Sequence, residues 1–415
     1  MPDTEIVIEK CHDISQIKGK ILSVLKRYEY LLPKTQSARI LLKPNLNSNM
    51  NALTGNTTDL RIIACLVEII QAAGYKNIVI GEGTNSGFYR NKIDVASRLM
   101  VRKLAERFGI GFYDLNYSQG SEITFANKEG AKIAKDCLEA DLFINLPKLK
   151  MHHEVGISAC LKNMMGCLVG QENKKKTHRN LAANIVHLNK YLRPHLHIVD
   201  GLIAMEGNGP SDGIPVRMDT IIAGTDPYFL DMVCTELVGM HFREIPYLKF
   251  AEQLGLITAE HREAIRNLDL TDFKRDLLKP HVPLLLRIAC NPYMQKYFQM
   301  LRHAPGLYEF CNTEFMGNVF LRLGISQERF IQEEMHINRM EPQRDKCPPG
   351  CTKCKDYCPL GLDVPEILSN QDESPCIKCL YCYMVCPQTA IQLQGTLGFL
   401  HVQMDKYSAL IRRVT

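Results

Sequence analysis

Sixteen cysteines occur in this 415-residue chain, and eight of them crowd between Cys347 and Cys386. Their spacing is Cys347-x3-Cys351-x2-Cys354-x3-Cys358-Pro359, then Cys376-x2-Cys379-x2-Cys382-x3-Cys386-Pro387. Thiolates at such short gaps are ligands for soft metals. Three closely spaced cysteines wrap one face of a cubane iron–sulfur cluster, and a fourth, three residues further on and followed by proline, points away from it. Zinc is the alternative, because paired CxxC motifs also make tetrahedral sites of four cysteines. Zinc ribbons, however, separate two pairs by a long spacer, whereas four close cysteines and a proline occur twice here. A disulfide framework suits a short secreted chain rather than the end of a long one. The other eight, Cys11, Cys65, Cys137, Cys160, Cys167, Cys234, Cys290 and Cys311, are scattered and read mainly as small buried apolar residues.

The duplicated motif resembles a bacterial-type ferredoxin carrying two [4Fe–4S] clusters, in which each fourth cysteine ligates the other cluster. The resemblance implies Cys347, Cys351, Cys354 and Cys386 as one ligand set, and Cys376, Cys379, Cys382 and Cys358 as the second. It also implies one-electron chemistry and an external electron donor or acceptor protein. Two departures stand out. The first gap holds three residues (PPG) rather than two, which could loosen that cluster or alter its type, and Leu380 stands where glycine is common.

Something must position these residues and use the electrons. The chain is 46% hydrophobic and 23% charged, with a formal charge of +5, ordinary for a globular protein and too modest for a dedicated nucleic-acid binder. No apolar run is long enough for a membrane span, and MPDTEIVIEKCHD lacks the layout of a secretion signal, so a cytoplasmic location is expected. Up to residue 255, short apolar runs at 5–10, 38–45, 77–83, 141–149, 196–205 and 220–226 alternate with segments of helical period at 15–32, 59–75 and 94–109. Strands apolar on both faces and separated by helices predict an α/β domain, a mainly parallel sheet with helices on both faces. Residues 256–343 are expected as a helical connector or cap, 344–396 as a small ferredoxin-like α+β module, and 397–415 as a tail docking back onto the body.

Ligands bind beyond the carboxyl ends of strands in such sheets. Those ends carry Lys43-Pro44-Asn45, the glycine-rich Gly81–Gly87, the segment NLPKLKMHHEVGISACLKNMMG (145–166), Glu206-Gly207-Asn208-Gly209 and Thr225-Asp226-Pro227. Lys148 and Lys150 share a face of an extended segment, and with Lys43, Asn45 and Lys162 could form a cationic pocket for a small anion. His152 and Glu82 are the candidate proton donors; solvated lysines and a surface histidine are the plain alternatives. A metal site from His152, His153 and Cys160 is disfavoured because adjacent histidines rarely chelate one ion. Asp200 and Asp226 could be caps, and Lys174–Arg179 reads as a solvated loop or a lid. The ordered motifs KPNLNS, NIVIGEG, DLFINLPKLKMHH…ACLKNMMG, IVDGLIAMEGNGP and IIAGTDPYFLD, over residues 38–250, look like those of domain-of-unknown-function family 362. The resemblance implies an α/β fold, often joined to a two-cluster module, and supplies no substrate.

The expectation is therefore an iron–sulfur oxidoreductase passing electrons to a small anionic ligand in the α/β cleft. Two alternatives stand beside it: an electron-transfer subunit docking on a larger enzyme, and a sensor or assembly factor whose clusters report iron or oxygen.

Overall fold

The computed structural model describes residues 4–280 and 330–415. Met1–Pro280 and Glu334–Thr415 form one compact unit; the second, His281–Glu333, lies almost wholly outside the described residues. Most of the expected helical connector, with Cys290 and Cys311, therefore also falls outside them.

The body of the first unit is a nine-stranded sheet. Its strands are β1 (Ile6–Lys10), β2 (Ile40–Pro44), β3 (Ile78–Glu82), β4 (Gly111–Asp114), β7 (Leu142–Leu146), β8 (Lys148–His152), β9 (Gly156–Ser158), β10 (Leu196–Glu206) and β11 (Ile214–Gly224). The order is β1-β11-β10-β7-β2-β3-β4, with β8 pairing β10 and β9. The centre, β10-β7-β2-β3-β4, is parallel throughout, and the antiparallel pairs are β1–β11, β10–β11 and β8–β9. The α/β reading of the sequence holds. Strands β2, β3 and β7 are buried at every residue, as a sheet covered on both faces requires.

Local chemistry sets the element ends. Asp59 caps the helix Leu60–Ala72 by accepting the Arg61 N–H at 2.9 Å, and Gly74 follows the helix at φ +96°. The continuous strand expected over 141–149 divides at Pro147, which has no N–H for the ladder. The chain leaves β2 there but continues beside β10 as β8, and the Pro147 carbonyl accepts the Asp200 N–H at 2.8 Å. The single helix expected over 94–109 is two, Val95–Arg98 and Val101–Phe108, broken where Met100 takes φ +61°. Strand β4, the hairpin β5 (Gly120–Thr124) with β6 (Gly130–Ala134), and β9 were not foreseen. They are short and, apart from β9, half-exposed, so their hydrophobic pattern is faint.

The cysteine-rich module is built from short helices, Lys353–Asp356, Val364–Ser369 and Tyr381–Val385, and a two-stranded antiparallel sheet of β12 (His336–Pro342) with β13 (Ile391–Thr396). Its sheet begins at His336, inside the segment expected to be connector. The tail forms the helix Leu400–Val414, packing on Tyr381–Val385 and on β11. Tyr407 donates a hydrogen bond to the Gly213 carbonyl at 3.0 Å, and Gln403 donates to the Asn49 carbonyl at 2.6 Å.

Candidate functional site: two cysteine cavities and a strand-end lysine cluster

Short chain spacing brings the cysteines together. A cavity of about 220 Å³ is lined by Cys347, Cys351, Cys354 and Cys386, with Pro348, Val364, Leu368 and Pro387 among its other walls. A second, of about 20 Å³, is lined by Cys358, Cys376, Cys379 and Cys382, closed in by Ile377, Leu360 and Leu380. Each cavity thus collects one of the two expected sets, including the fourth cysteine contributed by the other motif. The second holds little more than one water molecule, so a cluster there requires its apolar wall to give. Among the described residues, no three His, Cys, Asp or Glu side chains close into a ready-made metal set.

The donor chemistry fits an iron–sulfur group. Burial pushes the Cys354 thiol up to about 11 and lifts those of Cys379 and Cys382 further. Such thiols become thiolates when a bound cationic core repays their desolvation. The Lys378 N–H donates to Cys376 Sγ at 3.3 Å and the Ala390 N–H to Cys386 Sγ at 3.1 Å, contacts of the kind that tune a cluster's potential. Leu380 sits at φ +60° and is 1% exposed. The left-handed backbone explains why glycine suits that position. Cys347 and Cys351 are exposed, whereas Cys382 is buried.

At the strand ends the charges are largely matched. Lys43 Nζ lies 3.1 Å from both carboxylate oxygens of Glu82, and neither residue reaches solvent appreciably. Glu82 also accepts the backbone N–H groups of Leu46 (3.0 Å) and Gly83 (2.8 Å). Lys148 Nζ contacts Asp200 Oδ2 at 2.8 Å, both fully buried. Lys150 Nζ donates to Asn45 Oδ1 and Asn47 Oδ1, each at 2.8 Å, and to the Asn56 carbonyl at 2.6 Å. Burial, reinforced by the nearby Lys162 and Lys148 charges, holds Lys150 well below the usual lysine range. Asn45 further donates to Asn163 Oδ1 at 2.8 Å. Four of the five expected anion ligands thus meet protein partners, and Glu82 serves as Lys43's counter-ion.

Lys162 differs. It is half-buried, and among the described residues its side chain has no hydrogen-bond or ion-pair partner. Burial lowers it to about 8, against the opposing charge of the Glu154 carboxylate. His152 is 3% exposed and accepts the Glu154 N–H on Nδ1 at 3.1 Å, which leaves Nε2 as the protonated nitrogen. Burial, then the Lys162 charge, holds it well below the usual histidine range. The neighbouring His153 lies at a turn, not in an extended strand, so the two rings stack at 5.1 Å instead of pointing apart. Cys160 is a core residue.

Several participants were missed or misread. Lys174, expected in a solvated loop, is 6% exposed; it donates to the Thr84 carbonyl at 2.7 Å, contacts Asn116 Oδ1, and is lowered to about 8 by burial. As expected, Asp226 is a cap, accepting the Tyr228 and Phe229 N–H groups, and Asp200 accepts the Leu202 N–H at 3.1 Å; the ion pair of Asp200 with Lys148 was not foreseen. Arg61 and Asp59 form a buried pair that no local motif announces beyond Asp59's place at a helix start. The loop 45–60 is the shared wall of the two regions. Lys150 grips it from the strand ends, and from the module side Asn51 Nδ2 meets Met384 Sδ at 2.7 Å and the Leu60 N–H meets the Tyr381 hydroxyl at 3.5 Å.

Comparison with known proteins adds family context. The profile described as "Domain of unknown function (DUF362)" matches residues 40–236. A thylakoid-associated protein of Synechocystis is 30% identical over 231 residues, 52% of this chain and 68% of that protein. One component of the ion-translocating oxidoreductase complex from Methanosarcina acetivorans is 44% identical over 46 residues, 11% of this chain and 17% of that component. The lactate racemase apoprotein from Thermoanaerobacterium thermosaccharolyticum aligns with 54% of this chain and 55% of its own, at 14% identity and a TM-score of 0.31. No helix among the described residues is long and apolar enough to cross a membrane.

Proposed function

Since the chain belongs to the family of the domain of unknown function DUF362, whose name records no activity, we propose a function from its own geometry: an iron–sulfur protein that holds two [4Fe–4S] clusters and exchanges electrons with an external partner protein. The observation that carries this reading is the pair of cavities, each lined by four cysteines drawn from both motifs. When bound, such clusters supply one-electron transfer. Cys347, Cys351, Cys354 and Cys386 would hold the first, and Cys358, Cys376, Cys379 and Cys382 the second. Exposed Cys347 and Cys351 put the first set at the surface, where a soluble donor or acceptor can approach.

The strand ends are the proposed site for a small anion. Lys162 supplies a charge that no hydrogen bond or ion pair holds, with Glu154 the opposite charge that acts on it, and His152 Nε2–H supplies a neutral donor. Lys43, Lys148, Lys150 and Asn45 hold the loop 45–60 and the strand ends in place, so their role toward a ligand is mainly positional. The same observation favours the second reading, an electron-transfer subunit whose α/β domain is a docking platform, because so many of the cleft's charges are already matched.

The test is anaerobic reconstitution of the full chain followed by iron and sulfide analysis and electron paramagnetic resonance of the reduced protein. Two cluster signals are expected. Zinc without acid-labile sulfide would end the redox reading, and absence of sulfate binding that depends on Lys162 would favour the docking platform over the anion site.

A further inference from the structure

Beneath the second cysteine set lies a fixed charge with an unused donor. Arg61 is 3% exposed; its Nε donates to Asp59 Oδ1 at 2.9 Å and its Nη2 to Asp59 Oδ2 at 2.6 Å. Its remaining terminal nitrogen, Nη1, is buried and has no partner among the described residues. Leaving a buried charged donor unsatisfied costs more than leaving a neutral one so, and the arrangement therefore calls for an acceptor. The guanidinium lies over the Tyr357 ring, 4.3 Å from its centroid, and Tyr357 immediately precedes Cys358. Tyr381, whose hydroxyl meets the N–H of Leu60, stands between Cys379 and Cys382. Arg61 is therefore seated under the backbone segments that present three of the four cysteines of the second set.

On its other side the pair continues inward. The Asp59 N–H donates to Asp200 Oδ2 at 2.8 Å, and the same oxygen receives Lys148 Nζ at 2.8 Å. Asp59, Asp200 and Lys148 are all 0% exposed. Arg61, Asp59, Asp200 and Lys148 thus connect the underside of the module to the strand ends, with the step from Asp59 to Asp200 made by the Asp59 backbone N–H and the others by side chains.

We propose that Arg61 is the positioning residue that sets the electrostatic environment of the second cysteine set, and that it couples this set through Asp59 and Asp200 to Lys148 at the strand ends. The proposal rests on the iron–sulfur reading and extends it. A group that gains an electron becomes more negative, and the Asp59 carboxylate, whose charge reaches Cys379, opposes that state; Arg61, bound to Asp59 through two nitrogens, offsets it, the more so in a low-dielectric setting. Guanidinium does not deprotonate in proteins, so its contribution is constant with pH. The orphaned Nη1 is a buried donor that Asp59 leaves unspent, while Asp59, through its backbone N–H, ties Arg61 to Asp200 and Lys148 at the ligand-binding edge. Only one electron moves, supplied by a chemical reductant in the test, and no bond is made or broken.

The experiment is a redox titration of the reconstituted full-length protein followed by electron paramagnetic resonance. A Cys347→Ala variant, in which only the second set remains complete, identifies that set's signal. Arg61→Gln should lower the midpoint potential of that signal and leave the first unmoved, and Arg61→Lys should restore most of the loss. Asp200→Asn, one step beyond Asp59 in the chain of charges, should move the same signal upward by a smaller amount. An unchanged potential in Arg61→Gln, or an equal shift of both signals, overturns the proposal. If Arg61→Gln does not load iron, Arg61→Lys and Asp200→Asn decide: loading in Arg61→Lys with a shift in Asp200→Asn supports it, and no shift in Asp200→Asn overturns it. A wild-type protein that takes up two clusters while all variants match it defeats this inference alone; one that takes up none defeats the iron–sulfur reading itself.

Discussion

Lys43 Nζ stands 3.1 Å from each carboxylate oxygen of Glu82, and the two side chains are 0% and 3% exposed. The pair joins the ends of the adjacent parallel strands β2 and β3. Glu82 also anchors the turns that follow both strands through the Leu46 and Gly83 N–H groups. Removing one partner leaves a buried charge alone, which typically costs about 3–5 kcal/mol. Lys43→Met should lose stability on that scale in urea unfolding. The double variant Lys43→Met/Glu82→Leu should recover only part of it, because the two backbone donors lose their acceptor. A Lys43→Met protein within about 1 kcal/mol of wild type would contradict this account.

Gly166 packs against that same pair. A Cβ built there runs into Glu82 Oε1 and Lys43 Nζ, while the Gly166 carbonyl accepts the Gly83 N–H at 3.0 Å. Gly166→Ala should destabilise by about 1–3 kcal/mol. Gly19, exposed in the helix Ile17–Arg27 with nothing within 4 Å of its Cβ position, should respond with the opposite sign, gaining about 0.4–1 kcal/mol on Gly19→Ala. Thermal unfolding of the two variants side by side checks the pair of signs.

Iron content separates the two cysteine sets. Cys347→Ala and Cys379→Ala each break one of them, and each should retain about half the wild-type iron and one of two resonance signals, by the crossed-ligand rule. If either variant lost all its iron, the two cavities would not be independent sites.

Sulfate binding should follow the protonation of Lys162. Its ammonium is lowered to about 8 by burial, so it is charged below that pH and neutral above it. A cation-dependent affinity is then fully present near pH 7 and falls about tenfold by pH 9, following the charged fraction of a group of that pKa. His152, held well below the usual histidine range, stays neutral across the window. Calorimetric titration at the two pH values measures the ratio, and Lys162→Met should abolish it. A pH-independent affinity in the wild type would remove Lys162 from the site.

What the sequence determined by itself is what depends on neighbours along the chain. The grouping of the eight cysteines around two cavities was legible because their spacing is local, with each motif spanning eleven or twelve residues. The central strands β2, β3 and β7 were legible because burial on both faces demands continuous apolar runs, and the face shared by Lys148, Lys150 and His152 follows from strand alternation. The tertiary structure decided what each charge meets. Lys43 and Glu82 are 39 residues apart, Lys148 and Asp200 52, Lys150 and Asn45 105. A lysine at a strand end looks the same in sequence whether it awaits an anion or already holds a carboxylate, because strand order and register choose its partner. For the same reason nothing in the sequence set Lys162 apart from Lys43, Lys148 and Lys150, or placed Arg61 beneath the second cysteine set. Those relations exist only once parallel strands are laid side by side and the loop 45–60 is closed between the sheet and the cysteine module.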